Sequence, residues 1–356
     1  MTAIIFNDVH IGVKRTGGTT PRSAFALRNW LRNSFKTEIL KHTDKHLIIN
    51  GDLFDGFQIE TSELLATVDI FKSWLDESDK TLYLGGGNHD FSAKGDKVSS
   101  FQLLGHILTL AYPKQVQVFM DGLQNLWDDK VWIIPHQLNQ DLFDLELERA
   151  QEQLTKGSVL FLHCNYDNKF AVHSDHSLNL SLDQAYALNG KGINIIIAHE
   201  HNKRVIRNGK VYITGNQFPT SVSDCLDDNG AKFAHILNED LTLTPIKTWD
   251  NKGGFVEVDW TQLNEVGEEK FIRVSGSAPQ ASSEEIITTL SKFRQGSDAF
   301  VITNAVKIEG LEGMDGFEEI SLEQIKGFDV ENALLERLEP REQIVIKKLL
   351  EGRNEA

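Results

Sequence analysis

Five places in this chain set carboxylate, amide or imidazole side chains at spacings that let them meet a metal ion. They are Asp8-Val9-His10, Gly51-Asp52-Leu53-Phe54-Asp55, Gly87-Asn88-His89-Asp90, His163, and His199-Glu200-His201. In extended chain, residues i and i+2 point to one side. Asp8 with His10, and His199 with His201, can therefore each present two ligands to one place. Carboxylate oxygen, amide oxygen and imidazole nitrogen suit Mn²⁺, Fe²⁺ or Zn²⁺. One carboxylate between two groups of ligands can bridge two metals roughly 3.5–4 Å apart, the separation used for in-line attack on phosphorus. Each piece alone has an ordinary reading. Gly, Asn and Asp are turn formers, and a single histidine at a strand end is more often simply hydrogen-bonded. The ordered set is the signal. In YLGGGNHDFS, residues 83–92, the glycines let the backbone bend and approach metal and phosphate with no Cβ in the way.

The surrounding elements must deliver these residues to one edge. Short apolar runs at Ala3–Phe6, His46–Ile49, Thr81–Leu84, Val131–Ile134, Val159–Leu162 and Ile193–Ile197 read as buried strands. Five of them end at the blocks above, and the carboxyl edge is where open α/β sheets place their sites. Helical spacing marks Phe25–Leu40, Leu64–Leu75, Phe101–Leu110 and Leu142–Leu154. The alternation predicts an α/β layered domain. A hairpin closed by Asn208-Gly209 and a second one over residues 232–247 follow. After Asp250 the pattern restarts as a small α+β unit. Its strands are FVEVDW, KFIRVSG and AFVITNAVKI, and its helix is capped by Ser282 or Ser283. The expected organisation is a catalytic domain over 1–250, an α+β domain over 251–308, an acidic linker over 309–328 and a helical segment over 329–356.

Composition narrows the class. The chain has 356 residues, 40% of them hydrophobic, enough for more than one core. Its two cysteines, Cys164 and Cys225, are far apart in sequence. With no disulfide framework and no basic stretch ahead of the first apolar run, the expectation is a cytoplasmic protein. No apolar run approaches the ~18 residues of a membrane span. The net charge of −16 argues against a protein that coats nucleic acid by itself. It does not exclude an enzyme acting on nucleic acid, because a metal supplies local positive charge. Residues 251–356 carry net −9 and are the more acidic part.

The five ordered blocks resemble those of the calcineurin-like metallophosphoesterase superfamily: Asp-x-His, Gly-Asp-x-x-Asp, Gly-Asn-His-Asp, a lone His, then a His-x-His block. Ala198 stands where the last block usually has glycine. The resemblance implies a two-sheet β-sandwich flanked by helices and two divalent metals, Mn²⁺ foremost, with Mg²⁺, Fe²⁺ and Zn²⁺ as alternatives. It implies that Asp8, His10 and His201 bind one metal and that Asn88, His163 and His199 bind the second, with Asp52 bridging. His89 is then the catalytic histidine facing the phosphate, steered by Asp90. Asp55 is a ligand in few members.

Within the superfamily, three features point to a nuclease. The opening MTAIIFNDVH lacks the basic n-region of a secretion signal, so none is expected. The stretch after the first block holds Lys14, Arg15, Arg22, Arg28 and Arg32 without an acidic residue, which suits a polyanion; Lys14 and Arg15 are the candidate substrate contacts. YITGNQFPTS at 212–221, then a small α+β unit and a terminal helical pair, looks like the SbcD-type DNA repair nucleases, closest to the short versions encoded by large phages. That resemblance implies a unit capping the active site and C-terminal helices that dock on an SMC-like ATPase, here through residues 329–352. It implies exonuclease action on duplex ends and endonuclease action on single strands. It also places the protein in the host cytoplasm if phage-encoded. Phe25–Leu40 or Phe101–Leu110 can supply a homodimer interface. The competing expectation is a stand-alone metallophosphatase or cyclic-nucleotide phosphodiesterase.

Overall fold

The apolar runs become strands because their alternate side chains enter two different cores. The structure, a computed structural model, describes residues 2–14, 20–77, 79–91, 97–168, 178–225, 230–250, 254–267 and 270–309. In the first sheet β1 (Ala3–Phe6), β2 (His46–Asn50), β3 (Thr81–Gly85) and β4 (Val116–Phe119) run parallel. β13 (Lys232–Leu237) pairs antiparallel with β1, and β14 (Leu243–Trp249) with β13, giving the order β14-β13-β1-β2-β3-β4. The second sheet holds β5 (Gln124–Trp127), β6 (Val131–Ile134), β7 (Val159–His163), β10 (Asn194–Ala198), β11 (Arg204–Ile206) and β12 (Val211–Ile213). Its order is β11-β12-β10-β7-β6-β5. The expected hairpin is β11–β12, and Arg207, Asn208 and Gly209 in its loop all take positive φ. β8 (Asn165–Tyr166) and β9 (Asn179–Leu180) form a short parallel pair beside β10.

Period two along the strands sorts the side chains. Ile4, Phe6, Leu47, Ile49, Leu82 and Leu84 face α1 (Pro21–Lys41), α2 (Thr61–Leu75) and α3 (Ser100–Ala111). Ala3, Ile5 and Ile48 turn the other way, onto Ile133, Val159, Phe161 and Ile196 of the second sheet. Leu160, Leu162, Ile195 and Ile197 cover the outer face under α4 (Gln140–Gln153) and α5 (Leu182–Gly190). The result is four layers, helix, sheet, sheet, helix, as the resemblance implied. With both faces of each sheet covered, the strands read as continuous apolar runs. α1 starts where Thr20 Oγ1 accepts the Ser23 amide at 3.2 Å, with Pro21 at the first position.

His235 of β13 lies wholly buried between the sheets, its Nε2 3.2 Å from the Tyr212 hydroxyl of β12. Burial, then the nearby Lys203 charge, pushes its pKa down to about 3. The unfolded chain takes up this proton near pH 6.5. Between those values only the unfolded state is protonated, so stability is full above pH 6.5 and falls as pH drops towards 3, by about 1.4 kcal/mol per unit. His235→Gln should flatten that acid slope by a similar amount. Urea midpoints at pH 7.5, 6.5 and 5.5, with chelator, check it; parallel slopes for the two proteins would refute it.

The remaining elements are β15 (Phe255–Asp259), β16 (Phe271–Ser275), β17 (Ser277–Pro279), α6 (Ser283–Gly296), β18 (Phe300–Asn304) and β19 (Lys307–Glu309). The sheet order is β15-β16-β18, all parallel, with β17 paired to β19. Ser282 is the helix cap position, but its hydroxyl makes no cap bond. Ile272, Val274, Ile286, Leu290 and Val301 give this unit its own core. Its other face presents Phe255 and Phe271 to Trp30 of α1, ring centroids 5.3 and 5.6 Å away, and Trp249 closes the same cluster at 5.0 Å. The small unit is thereby seated on the helix that follows the first chemical block. The linker beyond Glu309, which closes β19, and the terminal helical segment lie outside the described residues.

Candidate metal centre

Four of the chemical blocks sit just past a strand end, where the backbone turns sharply, and the fifth, His163, is the last residue of β7. Asp8, His10, Asp52 and His199 all have positive φ, at 48°, 53°, 48° and 94°. Such conformations cost roughly 1–3 kcal/mol each and persist only where the surroundings enforce them. The enforcement is visible. The Asp8 amide donates to the Gly51 carbonyl and the His10 amide to the Asp52 carbonyl, both at 3.1 Å. The His199 amide donates to both Asp8 carboxylate oxygens, at 3.1 and 3.0 Å. Asn7 anchors the same corner through the Gly215 carbonyl and the Gln217 side chain. Two glycines are required by close approach. A Cβ on Gly51, itself at φ 88°, would lie 2.0 Å from His163 Nδ1, and one on Gly87 would lie 2.2 Å from Asp52 Oδ1.

Three sets of side chains converge, each with ligand atoms within 4.8 Å of one another: Asp8, His10 and His201; His10, Asp52 and His89; Asp52, His163 and His199. Asn88 completes the third set, its Oδ1 3.0 Å from both His163 Nε2 and His199 Nδ1. Asp52 Oδ2 lies 3.3 Å from His163 Nε2 and 4.0 Å from His10 Nε2, between the two groups. Second partners fix the tautomers. His163 Nδ1 is 3.1 Å from the Asn50 carbonyl, and His201 Nδ1 is 3.1 Å from Asp224 Oδ1. With those nitrogens donating, both Nε2 lone pairs turn inward. The His163 lone pair then faces two acceptor oxygens, and acceptor against acceptor at these distances is repulsive unless a cation lies between. His201 Nε2 faces His10 Nε2 at 3.1 Å in the other group. The donor set therefore fits two divalent ions.

The sequence supplies the deciding comparison. A sequence model of the family described as calcineurin-like phosphoesterase matches residues 1–217. The chain belongs to the calcineurin-like phosphoesterases. It is a metal-dependent phosphoesterase, and its family uses divalent metals. No curated protein matches the chain. Among the described residues, no helix is long and apolar enough to cross a membrane.

Without metal, protons must take the place of the ions in this phosphoesterase. Burial opposes charge on His163, but Asp52 outweighs it and pushes the pKa up to about 9. Burial, then the His163 charge, pushes His199 down to about 3. Burial works to raise the Asp52 carboxyl, yet the His163 and His89 charges hold it well below the usual range. Burial lowers and Asp224 raises His201, with a net rise. Burial also works to raise Asp224, but His201 takes it far below the usual carboxylate range.

All seven expected ligands meet here. His89 and Asp90, the expected catalytic pair, stand in the adjoining turn. The carboxylate of Asp90 accepts the Gly87 amide at 2.9 Å and the Phe54 amide at 3.4 Å, so it holds the turn together. The bond that orients His89 runs from its Nδ1 to the Asp55 carbonyl at 2.9 Å. Asp55 also places a carboxylate oxygen 3.4 Å from His10 Nδ1. Lys14 is exposed, and its amide donates to Asp55 Oδ2 at 3.0 Å; Arg15 lies outside the described residues. Arg28 pairs with Glu60 at 2.5 Å and Arg32 with Glu63 at 3.0 Å. The basic stretch is thus partly neutralised by α2. Asp224, which the sequence reading did not single out, is tied down by the Thr220 amide and hydroxyl, both at 2.8 Å.

Proposed function

We propose that this phosphoesterase is a two-metal DNA nuclease, the nuclease subunit of an SbcCD-like repair complex with an SMC-like ATPase. It would act as an exonuclease on duplex ends and an endonuclease on single strands. The carrying observation is the pair of donor groups hinged on Asp52. Bound ions of this kind polarise a phosphoester and lower the pKa of a water. Asn88, His89, His199 and His201 are half-buried while Asp52 and His163 are enclosed, so the phosphate enters on the His89 side. There His89, held through Nδ1, would present a protonated Nε2 that stabilises the developing charge or gives its proton to the leaving oxygen. Extension from any phosphoester to DNA rests on the downstream layout: the YITGNQFPTS stretch, the small unit seated on α1, and the amphipathic pattern over residues 329–352. An acidic chain needs a partner with a DNA-binding surface, and that segment is where we place the ATPase. Mn²⁺ is the proposed ion.

The pairing of Arg28 and Arg32 with α2 favours a second reading, a phosphodiesterase of small substrates. One experiment separates them. The full chain and a chain ending at Ser321 are assayed with Mn²⁺ on linear duplex DNA, single-stranded DNA, an aryl phosphodiester and a phosphomonoester. The expected result is diester over monoester cleavage by both proteins, and cutting of single strands by both. Only the full chain should co-purify with the ATPase and process duplex in an ATP-dependent way. Preference for the monoester with no DNA cutting would overturn the nuclease reading. Full-strength ATPase binding by the shortened chain would overturn the docking assignment.

A further inference from the structure

The metal centre accounts for Gly87 but not for Gly86, the middle glycine of the run. A Cβ on Gly86 would lie 2.6 Å from Phe91 Cε2 and 3.5 Å from Met120 Sδ. Its absence lets the Phe91 ring pack close against the strand end. That ring forms one wall of a cavity of about 800 Å³ lined also by Gln102, Met120, His136, Gln137 and Leu138, within the roughly 300–1,000 Å³ of ligand sites. The cavity adjoins the second donor group. The His136 amide donates to the Gly86 carbonyl at 2.9 Å. The His136 ring stands 5.9 Å from Phe91 on one side and 6.5 Å from the ligand His163 on the other. A line of rings therefore leads from the metal centre into the cavity.

We infer that this cavity is a nucleobase subsite, which stacks the base of the nucleotide flanking the scissile phosphate on Phe91. The inference rests on the nuclease reading of the adjoining centre and deepens it. The walls are mixed, and on the side nearest the metal centre Phe91, Met120 and Leu138 present surface suited to a base face. The polar groups are mostly spent internally. Gln137 Nε2 donates to the Pro135 carbonyl at 2.8 Å, and Gln102 Oε1 accepts the Ser99 amide at 2.8 Å. At the far end Glu146 is held by Arg149 at 2.7 Å and by the Leu123 amide. The Gln124 and Asn125 side-chain amides are likewise spent on the Asp121 and Val131 carbonyls, so the subsite binds a base without choosing strongly among bases.

The test measures equilibrium binding of dAMP, dCMP and 2-deoxyribose 5-phosphate to the full Mn²⁺-loaded chain. Base stacking is expected to tighten dAMP and dCMP over the sugar phosphate by roughly 5- to 150-fold, with the two nucleotides within a few-fold of each other. Phe91→Leu keeps the bulk against Gly86 and Met120, so the fold and metal content should hold. It should bring that ratio close to one while sugar-phosphate binding stays unchanged. Phe91→Tyr should restore the ratio. No advantage from the base in the parent protein, or an unchanged ratio in Phe91→Leu, overturns the subsite. A protein that gains from the base but cuts no DNA keeps the subsite and loses the nuclease reading. One that cuts DNA without gain from the base loses the subsite alone.

Discussion

Asp52→Ala is expected to lose both metals and at least the roughly 10²–10³-fold of rate that removal of one transition-state donor costs. The reason is position. Asp52 belongs to two of the three donor sets and lies between His10 and His163. His10→Ala, by contrast, removes a ligand from one group and should spare the ion held by Asn88, His163 and His199. The second consequence concerns protons. His163 owes its raised pKa to Asp52, against burial. In the chelated Asp52→Ala protein burial is opposed only by the smaller effects of the Asp8 charge and the Asn50 carbonyl, and the His163 pKa should fall from about 9. NMR titration of the imidazole reads this independently of activity, and elemental analysis reads the metals. Full metal occupancy in Asp52→Ala would remove the bridging assignment.

What could be read ahead of the structure has a physical pattern. The ligands lie next to apolar runs that are buried on both faces, so strand and ligand announce each other within a few residues. Asp8 and His10 after β1, Asn88 after β3 and His199 after β10 are of this kind. The groups that orient those ligands were not legible, because they arrive by chain return. Asp224 meets His201 from 23 residues away, on a short 3-10 turn with no strand to mark it. The Asp55 carbonyl that holds His89 is backbone and leaves no trace in residue type. Asp90, expected to steer His89, spends its carboxylate on the Gly87 and Phe54 amides and acts on His89 through its charge, while the carbonyl makes the direct bond. Charge misled in a similar way. Arg28 and Arg32 look like a free basic face in sequence, but helical spacing sets them against Glu60, the N-cap of α2, and Glu63 in its first turn. α5 was missed because only Ala185, Leu188 and Asn189 of its nine residues are buried, too few to set a period. The glycine run shows the limit most directly. Gly85, Gly86 and Gly87 look alike in sequence, yet their missing Cβ atoms make room for Ile133, Phe91 and Asp52 respectively.

His89→Ala is expected to keep its metals and lose roughly 10²–10⁴-fold in rate on DNA, the range for a positioned acid–base group. The case for retention starts from the hydrogen bonds. His89 Nδ1 is committed to the Asp55 carbonyl, and the His89 amide to Asp52 Oδ1 at 3.0 Å. The backbone bond to Asp52 survives the substitution, so the bridging carboxylate keeps its orientation. Each proposed ion also keeps its own donors: Asp8, His10 and His201 for one, Asn88, His163 and His199 for the other, with Asp52 shared. Burial lowers and Asp52 raises the His89 pKa, with a net rise. The imidazole is therefore suited to carry a proton beside a phosphate. That role has a kinetic signature. A poor leaving group such as a deoxyribose oxygen needs the proton, whereas a nitrophenolate does not. The loss in His89→Ala should therefore be many times larger on DNA than on a nitrophenyl phosphodiester. An equal loss on both would move His89 from proton donor to charge stabiliser. The contrary structural possibility is also defined, since His89 shares a donor set with His10 and Asp52. A His89→Ala protein that comes out of purification short of metal would make His89 a ligand and end its assignment as the residue facing the phosphate.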